Sequence, residues 1–396
     1  MKKIQVLTAL LLAGFGFNSV LAQDQVAVDS AAWQAITNLQ QQVNYLKPGD
    51  SHFMVVGLTT FGFVNSSVKA GGVTTTSNTM GDAFEFSPML LWRQGKKVLL
   101  EFEPSYDGNT LGVNWADVSY FAAPGLIIRA GYFVLPFGIY NKRLAAGWIN
   151  KMASDPVGIA DMPPASDFGI EVEGGFHAGD TKWSYDISLT NGMQLLPDGR
   201  IQNAGITDNN NNKTITGRLG FLPFSNSSLE VGVSGLFGNI GDANSAYTGA
   251  KTDMYAFDLS YMKKIRKFLF NVKGQYNIIN VNNQNYVNPS DSTQTYTYTN
   301  TTTSYFAQLS ARPAYISNKI LKNFELAFRF ANFTTPKNST WEENTNETDI
   351  GLNYWLSWRS VVRVTYEMIN SNSANLGLSN GTANTNKLYV QFSTEF

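Results

Sequence analysis

The last nine residues of the chain alternate. Leu388, Val390, Phe392 and Phe396 fall on one side, and Tyr389, Gln391, Ser393 and Glu395 on the other. A period of two is what a strand shows when one face meets an apolar medium and the other a polar one. The same period governs 324–333, where Phe324, Leu326, Phe328 and Phe330 face Glu325, Ala327 and Arg329. It also governs 361–369, where Val362, Val364, Tyr366 and Met368 face Arg363, Thr365 and Glu367. Read along the chain, it predicts strands over 53–64, 83–92, 98–106, 111–122, 126–135, 168–177, 182–190, 213–222, 229–237, 253–262, 268–279, 303–311, 324–333, 348–357, 361–369 and 388–396. Segments of about ten residues are long enough to cross a bilayer when tilted.

The connections fall into two kinds. Starting from the first strand, the even-numbered links are short, around Gly95, Pro124-Gly125, Gly179-Asp180, Asn226-Ser227, Lys264-Ile265, Ser317-Asn318 and Arg359. Most odd-numbered links are long and rich in Asn, Thr, Ser and Gly, as in 208–212 and 282–302, with the tight Asp107-Gly108-Asn109 turn as the exception. Long loops at one end and short turns at the other mark an outer-membrane barrel. A soluble sandwich would also alternate, but some sixteen strands would then need two sheets and a common core. A barrel turns the apolar face to lipid and leaves no open edge. The mean hydropathy of -0.16 fits both, because alternation hides the hydrophobicity. The expected fold class is therefore all-β: a transmembrane antiparallel β-barrel of about 16 strands over residues 51–396. Aromatic residues near strand ends, Trp92, Tyr106, Tyr132, Tyr261, Tyr354, Trp355 and Trp358, suit the water–lipid boundaries.

Two segments precede it. Residues 1–22 carry Lys2 and Lys3, an apolar run from Leu7 to Phe17 and Val20-Leu21-Ala22, the pattern of a secretory signal peptide. Within 23–50, Ile36, Leu39, Val43 and Leu46 recur at helical spacing, a seam of about two heptads, ended by Pro48-Gly49-Asp50. So short a helix needs partners, either three copies held together by a trimeric body or its own domain. The chain has no cysteine, which removes thiol chemistry and disulfides.

One link is unlike the rest. Between the strands at 126–135 and 168–177, residues 136–167 start at Pro136, end beyond Pro163-Pro164 and hold Tyr140, Leu144, Trp148, Ile149 and Met152 beside Lys142, Arg143 and Lys151. Exposed linkers seldom have this mixture. Folded into the lumen, such a loop would narrow the passage; packed outside on neighbouring loops, it would shelter the same residues. In the first case Lys142, Arg143 and Lys151 are the cationic members of a constriction and Asp155, Asp161 and Asp167 the anionic ones. Arg129 and Glu171 at the loop's roots are then the nearest wall partners. An anchoring ion pair and a solute contact both fit each of these residues.

Strand parity places Glu85, Glu101, Glu103, Asp117, Glu171, Glu173, Asp186, Asp258, Glu325 and Glu367 in the lumen with Arg129, Lys182, Arg218, Lys273, Arg329 and Arg363. The signs are mixed, and the whole chain has a formal charge of -1. Selectivity in such a pore must be local, from facing charges that order water and favour small polar solutes.

Other classes find little support. A barrel enzyme would want a histidine base, and His52 and His177 lie at the ends of distant strands. A surface structural or adhesive role would use the Asn/Thr tracts, which solvated loops have anyway. The 208–212 run offers oxygen ligands but lacks the glycine and distal glutamate of an EF-hand. No cofactor motif, metal-spaced His/Cys set or basic nucleic-acid patch is present, so no cofactor, metal or nucleic-acid partner is expected.

The words Gly131-Tyr132-Phe133-Val134-Leu135-Pro136-Phe137-Gly138-Ile139-Tyr140-Asn141-Lys142-Arg143 and Trp148-Ile149-Asn150-Lys151 are similar to the entry into the constriction loop of porins from Bacteroidetes-like bacteria. The chain after residue 22 resembles trimeric sixteen-stranded outer-membrane porins, in particular the phosphate-selective porin O/P and DcaP-like families. The heptad segment is similar to the N-terminal coiled coil of the latter. The terminal Phe396 resembles the C-terminal signal of bacterial outer-membrane barrels. The resemblance implies a homotrimer in outer-membrane lipid and lipopolysaccharide that passes small polar or charged solutes by passive diffusion. Phosphate selectivity goes with a basic ladder along the pore, and no such ladder is legible here.

Overall fold

The computed structural model describes residues 51–396 except 82–83, 145, 147–148, 161, 163–164, 205, 207, 209, 289–290 and 374–380. The expected signal peptide (1–22) and helical segment (23–50) lie outside the described residues. Sixteen antiparallel strands form one closed sheet. They are β1 (Ser51–Ala70), β2 (Glu85–Gln94), β3 (Val98–Tyr106), β4 (Leu111–Ala123), β5 (Leu126–Val134), β6 (Ser166–Ala178), β7 (Thr181–Thr190) and β8 (Thr214–Leu222). The second half is β9 (Leu229–Asn239), β10 (Lys251–Ile265), β11 (Phe268–Val281), β12 (Asn300–Arg312), β13 (Phe324–Thr334), β14 (Glu343–Trp355), β15 (Ser360–Ser373) and β16 (Gly381–Glu395). Each strand pairs with the next, and β1 closes the ring by pairing Leu58–Ala70 with β16. This is the all-β transmembrane barrel that the alternation predicts.

The two faces separate as the parity requires. On β13, Leu326 and Phe328 are 59% and 47% exposed, whereas Arg329 between Phe328 and Phe330 has no exposed surface. In a water-soluble protein that order would be inverted. Here the exposed apolar side chains make the lipid-facing band and the charged ones turn inward, where neighbours of opposite sign satisfy them.

Several details depart from the sequence reading. β1 continues to Ala70 and folds back as a further strand, Val73–Met80, in a stretch expected to be loop. The threonine-rich run favours extended backbone, and Gly71 and Gly72 supply the positive φ angles, 56° and 81°, of a two-residue hairpin turn. β14 begins at Glu343 rather than 348, which brings Glu347 onto the wall. Trp355, expected at the lipid boundary, points inward and donates its indole N–H to Glu325 at 2.7 Å. As an odd-numbered residue of β14 it shares the inward face of Asp349 and Asn353.

The seam between β1 and β16 is tight. Gly57 and Phe396 exchange two backbone hydrogen bonds, at 3.0 and 3.1 Å, and the Phe396 ring stacks on Phe86 at 5.8 Å. A Cβ on Gly57 would come within 2.6 Å of the Ser87 carbonyl and 2.8 Å of the Phe396 ring. Gly57→Val is therefore expected to destabilise closure by about 1–3 kcal/mol, the usual cost of overpacking. A lower temperature of heat-induced mobility change on a semi-native gel would register it; an unaltered transition would mean the seam yields freely.

Candidate functional site

The link from β5 to β6 leaves the sheet at Leu135 and runs along the inward face of the opposite wall. Its first part is held by packing. Leu135 and Phe137 join Leu236, Met254 and Ile279, which face inward from β9, β10 and β11. Ile139, Tyr140, Leu144 and Ile159 pack on Phe306 and Ala331 of β12 and β13. Gly138 turns the chain at φ 66°, so close to the wall that a Cβ there would lie 2.2 Å from the Gln275 side chain. The Gln275 carbonyl in turn accepts the backbone N–H groups of Ile139 at 2.8 Å and Tyr140 at 2.9 Å. One wide helical turn, Tyr140–Leu144, then aims Lys142 and Arg143 at the wall.

Lys142 reaches the root of its own loop. Its Nζ lies 2.7 Å from Glu171, 3.0 Å from Glu173 and 3.2 Å from Asp186, on β6 and β7. Arg129 of β5 touches the same group, 3.1 Å from Glu171, 3.0 Å from Glu173, 3.3 Å from Asp117 and 4.0 Å from Glu101. Five carboxylates thus surround two cations. Arg143 turns the other way and pairs with Glu230 of β9 at 2.6 Å, beside Arg218, which holds Asp258 at 2.6 Å.

The far part of the loop is clamped to β13–β16. Lys151 pairs with Glu325 at 3.2 Å and lies 4.5 Å from the centre of the Trp355 ring. Arg329 donates to the Ser154 carbonyl at 2.8 Å and to its hydroxyl at 2.9 Å, and Arg363 donates to the Asn150 carbonyl at 2.7 Å. The N–H of Ala153 goes to Thr365 Oγ1 at 3.1 Å and that of Val157 to Glu347 at 3.1 Å. The wall therefore takes up backbone groups along the loop, as a segment with little water around it needs.

The candidate residues divide by position. Lys142, Arg129 and Glu171 meet in one cluster, while Arg143 and Lys151 pair with separate wall carboxylates, Glu230 and Glu325. Asp155 is exposed and accepts the Tyr140 hydroxyl at 2.5 Å. Asp167 is 3% exposed and accepts the N–H of Gly192 at 2.6 Å, tying the end of the loop to the next one. Asp161 and Trp148 lie outside the described residues. Sequence reasoning missed Glu230, Gln275 and Glu347. Gln275 is two residues from Lys273 and shares its parity, so the pattern held that signal. Glu347 stood outside the expected strand.

Lys273 of β11 stands apart from the ion pairs of the loop. It is 7% exposed, and no carboxylate among the described residues lies within ion-pair distance of its ammonium.

The class that the fold defines is the sixteen-stranded antiparallel transmembrane β-barrel. No protein-family model matches the chain, and no curated protein matches its sequence. Solved structures do. The anion-selective porin from Comamonas acidovorans is similar at 14% identity and a TM-score of 0.55 over 88% of this chain and 100% of that one. The outer membrane channel DcaP of Acinetobacter baumannii is similar at 11% identity and a TM-score of 0.52, over 87% and 97%. OmpT, an outer membrane protein of Vibrio cholerae, is similar at 10% identity and a TM-score of 0.52, over 89% and 100%. At such identities the likeness is one of fold.

Proposed function

We propose that the chain is an outer-membrane diffusion channel for small polar or charged solutes, narrowed where segment 136–167 crosses the lumen. The observation that carries this reading is the inward face itself: charged side chains in opposed pairs along a closed barrel whose outer face is apolar. Facing charges of both signs across a narrow passage orient water and pass polar solutes in preference to apolar ones of equal size. Weak, shared contacts suit conduction, because a tight site would hold the solute. Lys142, Arg143 and Lys151 act chiefly as the loop's anchors, with Arg129 and Glu171 setting its root. In this reading Lys273 on the wall and the exposed Asp155, which also accepts the Tyr140 hydroxyl, line the solute's path. Because the inward bases around the loop are engaged by carboxylates or by loop carbonyls, the reading does not extend to phosphate. In this reading the protein works in the outer membrane, surrounded by lipid and lipopolysaccharide, as a homotrimer.

Planar-bilayer recording tests it. Purified protein should give discrete conductance steps with potassium chloride and slower flux of neutral sugars in liposome swelling. Membranes that stay as insulating as bare lipid would leave a surface structural or adhesive role. Lys273→Met should move the reversal potential toward cations without altering the fold, and an unmoved potential would remove Lys273 from the solute's path.

A further inference from the structure

One row of inward side chains runs Gln308, Arg329, Asp349, Glu367, Lys387 from β12 to β16, each directly opposite the next in the strand register. In its middle, Asp349 and Glu367 are like charges at directly paired positions. That arrangement destabilises a sheet unless something positive sits between them. Glu347, two residues before Asp349 on the same face, adds a third carboxylate. One oxygen from each of the three lies within 4.8 Å of the others, and none of the residues is more than 2% exposed.

The cations within reach fall short of this charge. Arg329 places Nε 2.6 Å from Asp349 Oδ2 and Nη2 2.9 Å from Glu347 Oε1. Lys387 places Nζ 3.1 Å from Glu367 Oε1, to which the Tyr389 hydroxyl also donates at 3.4 Å. Glu347 Oε2 takes the N–H of Val157. With all three carboxylates ionised, two cations leave one negative charge in a place closed to bulk water. Asp349 Oδ1, on a side chain with no exposed surface, accepts no hydrogen bond. A buried anionic oxygen without a partner is costly, and the cost falls away if a proton or a cation joins it.

We propose that Glu347, Asp349 and Glu367 bind one hard divalent cation, with calcium as the best match. An all-carboxylate oxygen set suits calcium, magnesium or manganese and offers nothing to softer metals that prefer imidazole or thiolate. The ligands come from two neighbouring strands, Glu347 and Asp349 from one and Glu367 from the next, so no spacing in the sequence announces them. The cation would firm the patch of wall on which the loop rests, since Glu347 holds Val157 and Arg329 holds Ser154. This inference is independent of whether solutes pass through the barrel.

The test uses the full chain in detergent, stripped with chelator and titrated calorimetrically with calcium, magnesium and manganese chlorides. One calcium per chain is expected, with a higher melting temperature. Asp349→Asn and Glu367→Gln should each weaken uptake by roughly ten- to a hundredfold. Either variant suffices, with heat-modifiable gel mobility confirming a closed barrel. If neither folds, terbium luminescence sensitised through Tyr389, and lost in Tyr389→Leu, decides the same question. No saturable uptake up to about 10 mM, above the weak end of known calcium sites, would mean a shared proton only and overturn the proposal. So would uptake that the variants leave unchanged.

Discussion

Replacing Lys142 with methionine should release the root of the loop at a cost of about 3–5 kcal/mol, the penalty for stranding buried charge. The ammonium it removes lies within 3.2 Å of three carboxylates, Glu171, Glu173 and Asp186. Arg129 would then face all five acidic groups alone. The backbone from Gly138 to Leu144 loses one of its two electrostatic tethers and keeps the Arg143–Glu230 pair, the hydrogen bonds to Ser234 and Gln275 and the packing on Phe306. Hydrogen exchange over 138–144 should rise sharply, and the current through single channels should become larger and noisier. Water entering among the freed carboxylates should also draw the reversal potential toward cations. Adding Arg143→Met frees Glu230 and should enlarge that drift. Unchanged exchange with an unchanged potential would mean that packing alone holds the loop.

Arg329→Met should have an effect of similar size at the far end. This side chain has no exposed surface, joins Glu347 and Asp349, and gives two hydrogen bonds to Ser154. Its loss leaves two buried carboxylates facing each other and the loop without its clamp, again about 3–5 kcal/mol. Protease cleavage between Asn150 and Val157 is the expected readout. Lys is a poor rescue, because one ammonium cannot make both the fork to the carboxylates and the bonds to Ser154. Continued resistance to cleavage in Arg329→Met would place the clamp elsewhere, on Arg363 and Thr365.

The barrel was legible because lipid imposes a period of two on every strand, and 98–106 and 324–333 show it almost residue for residue. Strand ends were less legible. Beyond the lipid the outward face is polar too, so the contrast that marks β14 at Asp349 and Ile350 fades through Asn344 and Asn346. The ribbon after β1 was hidden for the same reason. Of the loop, the sequence showed that it must pack and which cations it carries. It could not show their partners, since Lys142 and Arg143 are neighbours that reach different strands, β6 and β7 for one and β9 for the other, and Glu230 and Glu347 come from strands far along the chain. Trp355 misled because an aromatic at a strand end suits the boundary on either face, and only exact register decides which.

The apolar face of the sheet lies in hydrocarbon. Because the chain has no cysteine, single nitroxide labels can be placed without background at Leu219, Phe257, Leu309, Phe328, Ile350 and Val390. Electron paramagnetic resonance of the protein in lipid vesicles should then show relaxation by dissolved oxygen and protection from a water-soluble nickel complex at all six sites. Strong relaxation by the nickel complex at these positions would put them in water, and weak relaxation by both agents would put them in a packed interior; either would contradict the barrel's place in the membrane.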